Sequence, residues 1–279
     1  MRTNPPLIIA ETNLSFAWAK AFLHVMGPGG DDSAPLVISV SGFAQGVPIE
    51  DAAFREAVNA DLRQHDKVGI ADNAFMIFPQ RVWRHSAGDR QWLFRRFERM
   101  LPKIRALNTK NCYGTYFGRM THFVGEKNGD LHTVNQLEHI LSIWERDQAQ
   151  GRRPRLSALQ VSCLDPAKDH SGQPVRGFPC LQQVSFAYDD AGGLAISAYY
   201  PTQYVFDRGY GNYLGLCHLG QFMANEMGLN LVRLNCNVNA PALGDVSKRA
   251  LSNLKARAEQ ALAGAAMVDN QQLTEAGTV

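Results

Sequence analysis

The chain lacks the features that would place it in several large classes of protein. No apolar run approaches the roughly 20 residues that span a bilayer, and Pro5-Pro6-Leu7-Ile8-Ile9-Ala10 is too short and too weakly flanked for a secretory signal. Its five cysteines, Cys112, Cys163, Cys180, Cys217 and Cys236, contain no Cys-x-x-Cys pair, and an odd count argues against both a disulfide framework and a zinc knuckle. Charge of one sign is also scarce. A formal net charge of +2 is too mild for a surface that tracks phosphates, and the cluster Arg152-Arg153-Pro154-Arg155 reads by itself as a solvated face. Gly27-Pro28-Gly29-Gly30 and Gly209-Tyr210-Gly211 lack the strand-then-helix spacing of a phosphate-binding fingerprint. His132, Glu138 and His139 have no third ligand at a workable spacing, so no metal site is expected. These absences leave a cytoplasmic protein with free thiols, without a membrane or nucleic-acid partner.

What is present is core-forming material. At 279 residues and 45% hydrophobic, the chain suits one large domain, expected over residues 1–268. Residues 269–279 turn polar, with Asn270, Gln271, Gln272 and Thr274, and lack apolar area to hold them down.

Periodicity places the elements. Asn13 caps a helix carrying Phe16, Trp18, Phe22 and Val25, which Gly27 ends, and a strand follows at 36–40. Residues 49–65 have helical spacing, whereas 74–79 is short, apolar and stopped by Pro79, which predicts a buried extended segment. Helices are expected over 89–107, bent or ended by Pro102, and over 131–147; a strand is expected over 156–164. Asp189-Asp190-Ala191-Gly192-Gly193 turns a hairpin between two alternating strands. A helix over 211–227, a strand over 229–236 and a final helix capped by Asp245 complete the order.

Cys180 is the sharpest candidate for chemistry. Gly177-Phe178-Pro179-Cys180 stands directly before the alternating stretch 181–188, so a thiol is carried at the start of a strand, with Arg176 and Arg208 as candidate cations to lower its pKa. The plainer reading is an inert buried thiol, the usual state of a free cysteine. Asn212, preceded by Gly211, reads either as a helix N-cap or as an amide offering a donor and an acceptor side by side to a ligand. Tyr113 on its own reads as a core residue.

Taken in order, Tyr113-Gly114, Pro179-Cys180 before a hairpin, and Asn212 at a helix start resemble the thymidylate synthase and pyrimidine hydroxymethylase superfamily over residues 113–239. The resemblance implies an α+β fold with a central mixed β-sheet flanked by helices, and a homodimer. It implies Cys180 as a nucleophile adding to C6 of a pyrimidine-like ring, Tyr113 in the pocket, and Asn212 pairing with the O4/N3 edge of a uracil-like ring. Thr202, Arg176, Arg208, Arg153 and Arg155 become candidate substrate-binding residues, and 5,10-methylenetetrahydrofolate the implied one-carbon donor.

The chain departs from that pattern in a consistent direction. Pro201, in Tyr199-Tyr200-Pro201-Thr202, replaces the phosphate-holding Arg; Leu181 replaces a His after the nucleophile. Asn239 and Pro241 stand where a sugar-binding His and Tyr are expected, and neither Glu56 nor Glu98 fits the catalytic Glu. Such losses imply a ligand without the deoxyribose 5′-phosphate, because each lost partner would leave a buried ligand atom unpaired at about 1–3 kcal/mol. The alternative is a catalytically degenerate binding or interaction protein that has kept the fold.

Overall fold

The computed structural model describes residues 5–28, 34–107, 114–127, 130–170, 172 and 179–276. In chain order the elements are β1 (Leu7–Glu11), α1 (Leu14–Met26), β2 (Leu36–Val40), β3 (Phe43–Ala44), β4 (Val47–Pro48), α2 (Ala52–Gln64), α3 (Ile70–Ile77), α4 (Gln80–Arg84) and α5 (Arg90–Leu107). Then come α6 (Tyr116–Thr121), β5 (Phe123–Lys127), β6 (Asp130–Val134), α7 (Gln136–Gln148), β7 (Gln160–Ser162) and α8 (Pro166–Asp169). The chain finishes with β8 (Gln183–Tyr188), β9 (Gly193–Tyr204), α9 (Tyr210–Met227), β10 (Asn230–Ala242) and α10 (Ser252–Ala276).

Six strands form a mixed sheet in the order β1-β2-β10-β9-β8-β7. β1 and β2 are parallel, β10 runs antiparallel to β2, and β9 lies parallel to β10. Parallel neighbours require a crossover, and α9 supplies it between β9 and β10. Alternation along the strands gives the sheet two unlike faces. Ile38, Cys236, Ile196, Ala198, Val184 and Phe186 point into one buried cluster, against α1 and α9. The other face carries Ser39, Arg233, Asn235, Ser197, Tyr199 and Gln183, none of them buried.

The helices are joined by aromatic packing. Phe78 lies edge-on to Phe117 at 5.5 Å and stacks on Phe222 at 5.1 Å, linking α3, α6 and α9. Arg90 draws Glu138 (2.9 Å), Glu145 (2.6 Å) and Glu226 (3.2 Å) together, tying α5 to α7 and α9.

Several expectations are corrected. Residues 74–77 are not extended: they belong to α3, where Ile70, Asn73, Ala74 and Ile77 are buried at helical spacing. The start of that period lies before the apolar run, which is why the run alone looked like a strand. Pro102 does not end α5, since Phe94, Phe97 and Leu101 are buried against Phe117 and Gly118, and this packing outweighs one lost backbone bond. The helix expected over 131–147 starts only at Gln136, capped by Asn135, and exposed Leu131 and His132 lie in β6 instead. Of the strand expected over 156–164, the part that forms one is Gln160–Ser162, and Leu156–Ala158 is a 3-10 turn. β10 runs six residues past Cys236, paired to β9 along its length. The last helix begins at Ser252 rather than beside Asp245, and its backbone continues to Ala276, through most of the segment expected to be a tail.

Candidate functional site

Cys180 is the exposed cysteine of the four described; Cys163, Cys217 and Cys236 are buried. Burial pushes the Cys163 thiol up to about 12 and raises those of Cys217 and Cys236 as well, so these three are inert core residues. Cys112 lies outside the described residues.

Cys180 sits just before β8, where the strand ladder begins. Gln182 donates its backbone N–H to the Tyr199 carbonyl and accepts from the N–H of Cys163, so the chain is fixed on both sides two residues after the thiol. The Tyr116 hydroxyl neighbours the Leu181 backbone N–H and the Cys180 thiol, and its influence on that thiol favours the thiolate. Tyr116 opens α6, capped by the Thr115 hydroxyl at 3.0 Å from the Gly118 N–H. Arg119 of the same helix grips Asp169 with two bonds of 2.7 and 2.8 Å and donates to the Cys163 carbonyl at 2.9 Å. A bidentate pair of this kind fixes direction as well as distance, so the phenol is aimed by a rigid helix.

The charge of Arg208 also reaches Cys180. Its guanidinium donates at 2.6 Å to Asn73 Oδ1, and Asn73 Nδ2 donates to the carbonyls of Val68 (3.0 Å) and Asp207 (3.1 Å). Buried Asn73 thus fixes Arg208 from α3. Arg208 lies in a π-helical turn, Val205–Gly209, between β9 and α9, and Trp18 Nε1 donates to Val205 O at 2.9 Å inside that turn. Asn212 follows in the first turn of α9, 5% exposed, with no side-chain hydrogen bond to another described residue. The N-cap reading of Asn212 is corrected, because helical geometry begins before it and leaves its amide free for other use.

The net effect on the Cys180 thiol is upward. Desolvation outweighs the Tyr116 hydroxyl and the Arg208 charge, both of which favour the thiolate. The expectation that Arg208 would lower the pKa is therefore right in sign for that one interaction and wrong for the sum. Burial thus favours the neutral thiol at rest.

Not every candidate gathers here. Tyr113 and Arg176 lie outside the described residues. Arg153 is at the other end of β8, where it donates to Asp189 O and Asp190 at 3.1 and 3.0 Å and covers the Tyr188 ring at 5.2 Å. At about 3.3 Å per residue, five steps of β8 separate that end from the Cys180 end, so Arg153 does not act beside the thiol of its own chain. Arg155 is exposed just before the Leu156 turn, and Thr202 is exposed on β9. His132 and His139 lie on β6 and α7, and the described residues contain no metal-holding group of three His, Cys, Asp or Glu.

Sequence reasoning missed Tyr116 and Asn73. Tyr116 carried a weak signal, since Thr115 and Gly118 mark a capped helix start two residues after Gly114. Asn73 carried none, because it stood inside a segment read as extended.

No protein-family model matches this chain, and no curated protein sequence matches it either. Among the described residues no helix is long and apolar enough to cross a membrane.

Proposed function

We propose that this chain is a divergent enzyme of the thymidylate synthase kind, in which Cys180 adds to a pyrimidine-like ring. The observation that carries the reading is Cys180, exposed just before β8, with the Tyr116 hydroxyl neighbouring its thiol and the charge of Arg208, at the N-terminal end of α9, reaching it. In the simplest form of the step, the sulfur bonds to C6, the C5–C6 π pair moves to C5, and the thiol proton ends on C5. The Tyr116 hydroxyl stabilises the sulfur while it is anionic, and Arg208 offsets the charge. Asn212, one helical turn beyond Arg208, presents its amide to the O4/N3 edge of the ring. When bound, 5,10-methylenetetrahydrofolate would supply the one-carbon electrophile that meets C5 in place of the proton.

Mass spectrometry tests this directly. Incubation with 5-fluorouracil, 5-fluorodeoxyuridine or its monophosphate, with and without the folate, is expected to give a covalent adduct on the peptide holding Cys180, and none in Cys180→Ser. With Pro201 at the phosphate position, the nucleoside is expected to label at least as well as the monophosphate. Absence of any adduct would overturn the enzymatic reading in favour of a binding protein that has kept the fold.

The reading also carries a homodimer, assembled through the bare face of the sheet. Ser39, Asn235 and Ser197 are linked across three strands by bonds of 3.0 and 3.2 Å, giving a flat patch of small polar groups beside exposed Tyr199 and Val232. An antiparallel or mixed sheet leaves one face open only to water or to a partner, and a two-fold pairing covers it with itself. Light scattering at micromolar concentration is expected to give twice the chain mass, and Ser197→Arg to give the single-chain mass; a wild-type monomer would remove the dimer from the proposal.

A further inference from the structure

A second recess lies away from Cys180. Between the β3–β4 hairpin and α2, α3, α4 and α9 is a cavity of about 330 Å³, and neither Cys180, Tyr116, Arg208 nor Asn212 lines it. Its volume falls at the lower end of the range for small-molecule sites.

The lining is divided by chemistry. One wall is apolar, formed by Phe75 and Phe78 of α3 and Leu214 of α9. The lining also carries three guanidinium groups, Arg55 from α2 and Arg81 and Arg84 from α4. Two carboxylates also line it, Glu50 and Asp72, so the fixed charges sum to +1. Glu50 is already committed: it accepts from Arg55 at 2.7 Å and from the Tyr210 hydroxyl at 2.8 Å, and Tyr210 in turn bonds Ser15 at 2.7 Å. Arg81 and Arg84 have no ion pair with any described residue. The cavity therefore holds two uncommitted cations against one exposed carboxylate.

Two residues with a side-chain atom that the fold leaves unpaired lie along the same space. His218 of α9 lines the cavity, and its Nδ1, like Oε1 of Gln80, is buried without a hydrogen-bond partner among the described residues. Buried polar atoms without partners are rare in folded proteins and call for an explanation. Here both atoms belong to residues that line one cavity.

We propose that this cavity is a binding site for a small organic anion with an aromatic body, separate from the Cys180 site. The ring lies against Phe75, Phe78 and Leu214, and the anionic oxygens meet the forks of Arg81 and Arg84, whose planar donors match a carboxylate, sulfonate or phosphate in two-point contact. A neutral ligand of the same shape leaves the two guanidiniums unneutralised and gains only the apolar wall. The three guanidiniums leave the lining net positive, which disfavours cationic ligands.

The test uses benzenesulfonate, which stays anionic at every working pH, and methyl phenyl sulfone as its neutral counterpart, each titrated into the whole chain by calorimetry. The sulfonate is expected to bind at least about tenfold more tightly than the sulfone. Arg81→Ala/Arg84→Ala changes exposed side chains and is expected to keep the wild-type circular dichroism while losing that preference. Cys180→Ser is expected to keep it, which separates this site from binding near Arg208. Equal affinity for the two probes, no heat with the sulfonate up to about 10 mM, or an unchanged preference in the double variant would overturn the proposal.

Discussion

Gly215→Ala is expected to destabilise the protein by about 1–3 kcal/mol, although the same change on an open helix face stabilises. A Cβ built at Gly215 would lie 2.8 Å from the Ala74 carbonyl oxygen, 2.9 Å from Ile77 Cβ and 3.1 Å from Ala74 Cα. The first and last of these are backbone, so relief requires α3 to move off α9, and α3 is also packed into the aromatic cluster through Phe78. Helix propensity works the other way, favouring Ala over Gly by roughly 0.5–1 kcal/mol. The steric effect is larger. Gly264 in α10 provides the control: a Cβ there meets nothing within 4 Å, so Gly264→Ala is expected to leave stability unchanged or raise it by that propensity gain. Thermal denaturation of the two variants checks the argument, and equal shifts in Tm would show that the α3–α9 approach is not tight.

The same approach explains how the site is held. At Gly211 an added Cβ would fall 2.4 Å from Asn73 Cβ and 2.8 Å from Ile70 O. Asn73 is the residue that fixes Arg208, so glycine at 211 lets α9 come close enough for α3 to orient the guanidinium near Cys180. Local stability and the geometry around the thiol thus depend on one helix contact.

Much of the scaffold was legible in the sequence, because amphipathic elements declare themselves through spacing. Asn13, Gly192 and Gly228 marked ends that the structure keeps: Asn13 accepts from the Ser15 N–H at 2.9 Å, and Gly192 and Gly228 take positive φ values of 84° and 68°. Cys180 before a strand and Asn212 near a helix start were legible from order alone. What was not legible depends on partners distant in the chain. The run 74–78 is apolar on all sides because α6 and α9 cover it, and such a run has no period to read. Asn73 and Arg208 are 135 residues apart and meet only because α3 packs on the start of α9. The sum of effects on Cys180 was equally hidden, since the sequence names the neighbouring cation but not the depth of burial that outweighs it. Arg153, a candidate only through the resemblance, is engaged in its own chain at the hairpin turn with Asp190 and Tyr188, a contact that the sequence did not show.

The last large effect expected is a pH dependence of stability that belongs to His218. Burial and the charges of Arg84 and Arg55 push its pKa down to about 4 from an ordinary value near 6.5. The other charged groups lining the cavity are Arg81, Glu50 and Asp72, and Glu50 is held by Arg55 and Tyr210. Between pH 6.5 and 4 the unfolded chain binds a proton at this residue and the folded chain does not. Stability therefore rises with pH across that window, and is lost as pH falls through it, at about 1.4 kcal/mol per unit. From pH 6.5 to 5 the loss from this one group is about 2 kcal/mol. His218→Gln removes the titration and keeps a polar side chain, so the difference in unfolding free energy between wild type and variant is expected to change by that amount across the interval. Carboxylates that titrate in both proteins cancel in the difference. Urea denaturation at pH 6.5 and pH 5 measures it, and parallel pH profiles for the two proteins would show that His218 is not held neutral by the cavity.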